Sequence, residues 1–129
     1  MQIKSGIDII EVERIKSSID EMGDNFLNRV YTENEIQYCE SKKKNKYQSY
    51  AARFAVKEAA FKAISTLIKD KYSISWKNIE TTNDENGRPS LKFISLTKEV
   101  EKELAKIESI DVSISHLEKY AVATVNILF

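Results

Sequence analysis

The chain has 129 residues, 42% of them hydrophobic and 31% charged, with 20 basic residues balanced by 20 acidic ones. That is the profile of one soluble domain, residues 1–129, and a net charge of zero argues against non-specific nucleic-acid binding. The lone Cys39 makes neither a disulfide nor a metal-ligand spacing, no stretch is long and apolar enough to cross a membrane, and no export signal opens the chain, so a cytoplasmic protein without membrane contact is expected.

In chain order, Met1 to Ile9 alternates, with Ile3, Ile7 and Ile9 on one face of a strand and Gln2, Lys4, Gly6 and Asp8 on the other. Val12, Ile15, Ile19 and Met22 then recur at helical steps up to Gly23, with Arg14 and Lys16 on the polar side. Phe26 to Tyr31 continues as helix or turn. Thr32-Glu33-Asn34-Glu35 has capping-box spacing, which starts a helix carrying Ile36 and Cys39 inward. The cluster Lys42, Lys43, Lys44 and Lys46 closes that helix, and it complements the helix dipole or attracts an anion.

The next stretch organises the rest. Residues 51, 52, 55, 59, 60 and 63 are all Ala, and they mix with Lys, Glu and Arg in a strong helix expected to run from Tyr47 to Ile68. Tyr50, Phe54, Glu58, Phe61 and Ser65 fall on a single stripe, which puts a carboxylate between two phenylalanines. Such a carboxylate needs a cation, a metal or a hydrogen-bond donor, and the plainest candidate is Lys62 at i+4.

Ser73 to Trp76 and Ile79 to Thr82 read as extended pieces. Asn86-Gly87 marks a tight turn before a return strand from Ser90 to Phe93. Thr97 to Ile107 is amphipathic, with Val100, Leu104 and Ile107 on one face. Asp111 to Ser115 and Tyr120 to Leu128 form the last strand pair, the second apolar on both faces and therefore central, with His116 at the mouth of the connecting loop. The fold class read from this order is α+β, an antiparallel sheet packed around a long central helix.

Several blocks in this order resemble the holo-[acyl-carrier-protein] synthases, the small 4′-phosphopantetheinyl transferases. They are Gly6-Ile7-Asp8-Ile9 with Glu11 and Arg14, then Phe26, Arg29 and Thr32 to Glu35, then Arg53 to Ala59 with Lys62-Ala63. Asn86-Gly87-Arg88-Pro89 and Val112 to His116 with Tyr120-Ala121 complete the set, which covers nearly the whole chain. The resemblance implies transfer of the phosphopantetheine arm of coenzyme A to a serine of an apo acyl carrier protein, releasing adenosine 3′,5′-bisphosphate.

It also implies roles. Asp8 and Glu58 would share Mg²⁺, a cation that takes one or two carboxylates plus phosphate oxygens and water, and Mn²⁺ favours the same oxygen ligands. Lys62 joins them as a catalytic residue that contacts phosphate. Coenzyme A would be bound by Lys62, Ser65, Thr66, Gly87, Arg88, Pro89 and His116, and the carrier protein docked by Arg14 and Arg29. The serine's proton would go to Glu58 or to a metal-bound water. A homotrimer with sites at subunit boundaries is implied as well.

Where the family has Gly-Thr-Gly after the central helix, this chain has Ser65-Thr66-Leu67, which alters a loop where backbone approaches phosphate. Leu117 replaces a small hydroxyl residue after the histidine, and the exit of the first helix is acidic. These departures motivate a second reading, a module of the same fold that binds coenzyme A or a carrier protein without turnover.

Overall fold

The computed structural model describes residues 1–129. Its centre is helix α4 (Lys46–Ile64), which lies across the inner face of a three-stranded antiparallel sheet. The sheet is formed by β1 (Ile3–Glu11), β5 (Tyr120–Leu128) and β4 (Ser109–His116), with β5 in the middle as its two apolar faces predict. Ile3 lies opposite Leu128, Asp8 opposite Ala123 and His116 opposite Ala121. A second sheet is the hairpin of β2 (Ile79–Asn83) and β3 (Pro89–Phe93).

The alanines of α4 have a packing purpose. Ala55, Ala59, Ala60 and Ala63 are buried together with Ala123, Val125 and Ile127 of β5, so helix and sheet approach closely. At Gly6 the approach is closest: a Cβ there would overlap the Ala59 carbonyl and come within 2.9 Å of the Ala63 nitrogen. A methyl group at residue 6 would therefore push β1 off the helix.

A second cluster joins α1 (Val12–Met22), α2 (Asp24–Val30) and α3 (Glu33–Glu40) to the first half of α4 through Val12, Ile15, Val30, Tyr31, Cys39 and Tyr50. The capping box forms as its spacing predicts, with Thr32 N–H donating to Glu35 Oε1 at 2.9 Å and Glu35 N–H to Thr32 Oγ1 at 3.3 Å. Glu35 does more than cap. It is buried, pairs with the equally buried Lys57 at 2.8 Å, and accepts from Thr81 N–H at 2.9 Å, which locks α3, α4 and β2 together.

Three expectations are corrected. The central helix stops at Ile64 instead of Ile68, because Ser65 Oγ donates back to the Lys62 carbonyl at 2.9 Å and 65–67 forms a turn. Ile68 still enters the core, which is why its periodicity mimics helix. Ser73 to Trp76 forms no strand: Ser73 ends one 3-10 turn, Lys71–Ser73, Trp76 begins another, Trp76–Asn78, and only Ile74 and Ser75 between them are extended; the Asp70 and Asn78 side chains accept from Tyr72 N–H at 2.9 Å and Ser75 N–H at 2.8 Å. Helix α5 is only Lys98–Leu104, capped by Thr97, with Ile107 packed just beyond it.

The two faces of β1 divide as the alternation predicts, and the isoleucine face is the outer one. Ile3, Ile7 and Ile9 point away from α4 and are 69, 59 and 65% exposed, on the same outer sheet face as Tyr120. The inner face of β1 carries Gly6, Asp8 and Ile10 instead. No helix is long and apolar enough to cross a membrane.

Candidate active site

Asp8 lies on the inner face of β1, two residues after the glycine that lets the strand meet α4. Glu58 sits on α4, half-buried, and both carboxylates line one cleft of about 280 Å³. Arg14, Ile15, Phe26 and Phe54 form the other side of this cleft, so its rim joins a cation to apolar side chains. Two acids 50 positions apart in sequence thus converge because strand and helix are packed at Gly6 and Ala59.

Lys62 takes a different partner from the one its spacing suggests. Its Nζ lies 3.3 Å from Asp8 Oδ1 and donates to the Ile7 carbonyl at 2.8 Å, while no ion pair joins it to Glu58. Lys62 is largely exposed, so its pairing with Asp8 adds little stability. What it does is hold an ammonium at the cleft mouth with N–H capacity to spare.

The Glu58 carboxyl titrates above the ordinary carboxylate range. Burial raises it first and the negative charge of Asp8 second, while Lys62 and the Trp76 indole act in the opposite sense. No third His, Cys, Asp or Glu stands close enough to make a three-ligand cage. Two carboxylates opening on one cleft suit Mg²⁺, which completes its shell with water and phosphate oxygens, better than they suit a metal that needs an all-protein site.

His116, Gly87 and Pro89 line a different cavity of about 370 Å³. The His116 ring nitrogen Nδ1 is 3.1 Å from Gln48 Oε1, and Gly87 occupies the turn at φ +80°. Lys42 and Arg53 share this cavity, and no carboxylate lines it, so it favours an anion. Arg53 stands in the central-helix block of the sequence with no site role expected of it, and Lys42 belongs to the lysine cluster at 42–46. Arg53 is buried, stacks on the Tyr38 ring at 3.9 Å from the centroid, and donates to Asn83 Oδ1.

The other expected site residues are dispersed. Ser65 lines a third cavity, about 440 Å³, which also meets Glu58. Thr66 is exposed on the turn that follows α4, and Arg88 is exposed with its backbone N–H on Asp84 Oδ1 at 2.9 Å. Arg14 lines the carboxylate cleft; Arg29, on α2, is exposed and does not.

Residues 4–125 match the model of the 4′-phosphopantetheinyl transferase superfamily. The chain belongs to that superfamily.

Two relatives from the superfamily are named holo-[acyl-carrier-protein] synthase. The protein of Koribacter versatilis is 44% identical over 125 residues, 97% of each chain. That of Ruminiclostridium cellulolyticum is 47% identical over 123 residues, 95% of this chain and 90% of the other. Among solved structures, the Helicobacter pylori holo-[acyl-carrier-protein] synthase in complex with coenzyme A superposes with a TM-score of 0.78 at 31% identity, covering 96% of this chain and 99% of that one. The Bacillus anthracis enzyme in complex with CoA (3′,5′-ADP) gives a TM-score of 0.74 at 34% identity, covering 96% and 94%. The superfamily fold is therefore present from β1 to β5, and the carboxylate cleft lies within the matched residues.

Proposed function

We propose that this protein is a holo-[acyl-carrier-protein] synthase, which moves the 4′-phosphopantetheine arm of coenzyme A to a serine of an apo acyl carrier protein. The observation that carries this reading is the cleft where Asp8 and Glu58 meet, with Lys62 tethered to Asp8 at its mouth. Relatives named for the same activity match 97% and 95% of the chain.

Asp8 and Glu58 would hold Mg²⁺, or Mn²⁺ in its place, through carboxylate oxygens. When bound, the ion supplies positive charge across the pyrophosphate of coenzyme A, where negative charge builds on the leaving group. Lys62 offers a phosphate oxygen the N–H that neither Asp8 nor the Ile7 carbonyl uses. The carrier serine enters from the Arg14 side, its oxygen bonding to the phosphorus that carries pantetheine. Glu58, on the same cleft as Arg14, is a carboxylate placed to take the serine proton. The bond to the bridging oxygen breaks, and adenosine 3′,5′-bisphosphate leaves.

The cationic cavity of Lys42, Arg53 and His116 would receive the nucleotide end, with Gly87 and Pro89 shaping its wall. It is separate from the carboxylate cleft, and the outer sheet face exposes three isoleucines. Both features support association of copies in which neighbouring subunits complete each site, and the family resemblance makes that assembly a homotrimer. Arg14 on the cleft, with Arg29 farther out, would dock the acidic carrier. The lone, reduced Cys39 supports a cytoplasmic setting.

The test is direct. Incubation with apo carrier protein, coenzyme A and Mg²⁺ should add one phosphopantetheine to the carrier by mass spectrometry, and Glu58→Gln should slow the transfer by at least about a hundredfold. If no mass appears with any divalent ion, the reading fails. Calorimetry that finds coenzyme A binding insensitive to Mg²⁺ and to Glu58→Gln would favour the non-catalytic binding module.

A further inference from the structure

Glu58 has a second neighbour besides Asp8. It is the only carboxylate lining the 440 Å³ cavity behind the cleft, whose wall includes Phe61, Ile64 and Trp76. The indole nitrogen of Trp76 is buried there, and no acceptor meets it in bonding geometry. A buried N–H without an acceptor costs about 1–3 kcal/mol, and a carboxylate in the same wall would remove that cost with a charge-assisted bond.

Trp76 is held by two residues of α4 that precede Glu58. One turn before Glu58, the Phe54 ring packs against the indole with centroids 6.0 Å apart and planes at 36°. Immediately before it, the buried Lys57 donates to the Trp76 carbonyl at 2.8 Å and to the Ile79 carbonyl, while Glu35 neutralises it at 2.8 Å. The backbone that carries the indole is therefore tied to α4 by a fully buried ion pair, and the ring itself rests on Phe54.

We infer that Trp76 is a positioning residue: its indole N–H takes one oxygen of Glu58 and so turns the other into the cleft shared with Asp8. This rests on the reading of Glu58 as a working carboxylate. Trp76 touches no substrate in this account; it acts through Glu58. Lys57 and Glu35 act one step further back, because they fix the turn that carries the indole.

Trp76 is the only tryptophan in the chain, so its side-chain N–H gives a single resonance. In the ¹⁵N-labelled full-length protein, Glu58→Gln should move that resonance, and so should adding Mg²⁺ alone to the wild type. Trp76→Phe keeps an aromatic ring against Phe54 but removes the N–H. It should raise the half-saturating Mg²⁺ several-fold and lower kcat about tenfold, with KM for the carrier unchanged. A ring needed only for packing would leave the Mg²⁺ response as it was.

An active wild type whose Trp76→Phe variant has unchanged kcat and Mg²⁺ response overturns the positioning role and leaves the transferase reading standing. If the wild type is inactive, the transferase reading fails, and an indole resonance unmoved by Glu58→Gln then overturns the Trp76–Glu58 bond as well. The same resonance decides the matter if Trp76→Phe does not fold.

Discussion

Cys39 and Glu35 sit on one short helix, and both are buried for reasons that a single residue type does not announce. The Cys39 thiol, shut away from water, is pushed up to about 11 from an ordinary 9.0, with the Ser49 hydroxyl 3.3 Å away pulling weakly the other way. The folded protein keeps this proton between pH 9 and 11 while the unfolded chain loses it, so the thiol's contribution to stability falls as pH rises through that window. Urea denaturation of wild type and Cys39→Ala should differ in their pH dependence by about 2–3 kcal/mol across the window, with the wild type losing more. Lys57 is the other informative residue. Its pKa is lowered by burial, the largest effect, and Glu35 opposes that shift. Removing its charge by Lys57→Met strands the Glu35 carboxylate and should cost about 3–5 kcal/mol in chemical denaturation. Replacing both by Glu35→Leu and Lys57→Met should recover only part of this, because Thr32 and Thr81 then lose the acceptor for their N–H groups.

At the scale of elements, the contact between β1 and α4 decides where the two site carboxylates lie. Gly6 meets Ala59 and Ala63 with no room for a side chain, and Asp8 follows two residues later on the same face. Gly6→Ala should therefore act twice. It should destabilise the fold by about 1–3 kcal/mol or more, seen as a lower midpoint in urea, and it should also weaken transfer under conditions where the variant is still folded. Unchanged activity in a folded Gly6→Ala protein would mean that the Asp8–Glu58 spacing tolerates movement. The turn at 65–67 is a milder case. Ser65 turns back on Lys62, so this segment ends the helix without the glycines usual in the family.

For the whole molecule, the outer face of the three-stranded sheet is the feature least consistent with an isolated chain. Ile3, Ile7 and Ile9 on β1 and Tyr120 on β5 leave a broad apolar surface open to water. Light scattering should report a trimer for the wild type, and Ile7→Glu should shift the protein to monomer. If coenzyme A spans two subunits, the monomer should lose transfer by at least about tenfold while its circular dichroism is retained. A stable, fully active monomer would remove the shared-site proposal and leave the chemistry at Glu58 intact.

The residues by themselves determined the α+β order, the central β5, the capping box at Thr32 and the Asn-Gly hairpin, because each depends on local periodicity or on turn chemistry. Long-range packing decided the rest. The alanine and glycine spacing says that something approaches α4, but only the register of β1 on the helix places Asp8 beside Glu58 and draws Lys62 to Asp8 instead. The burial of Glu35 with Lys57, the end of α4 at Ile64 and the outward turn of the isoleucines depend likewise on partners remote in the chain. Pattern along a sequence records which side of an element differs from the other; which side faces the core is settled only when the elements meet.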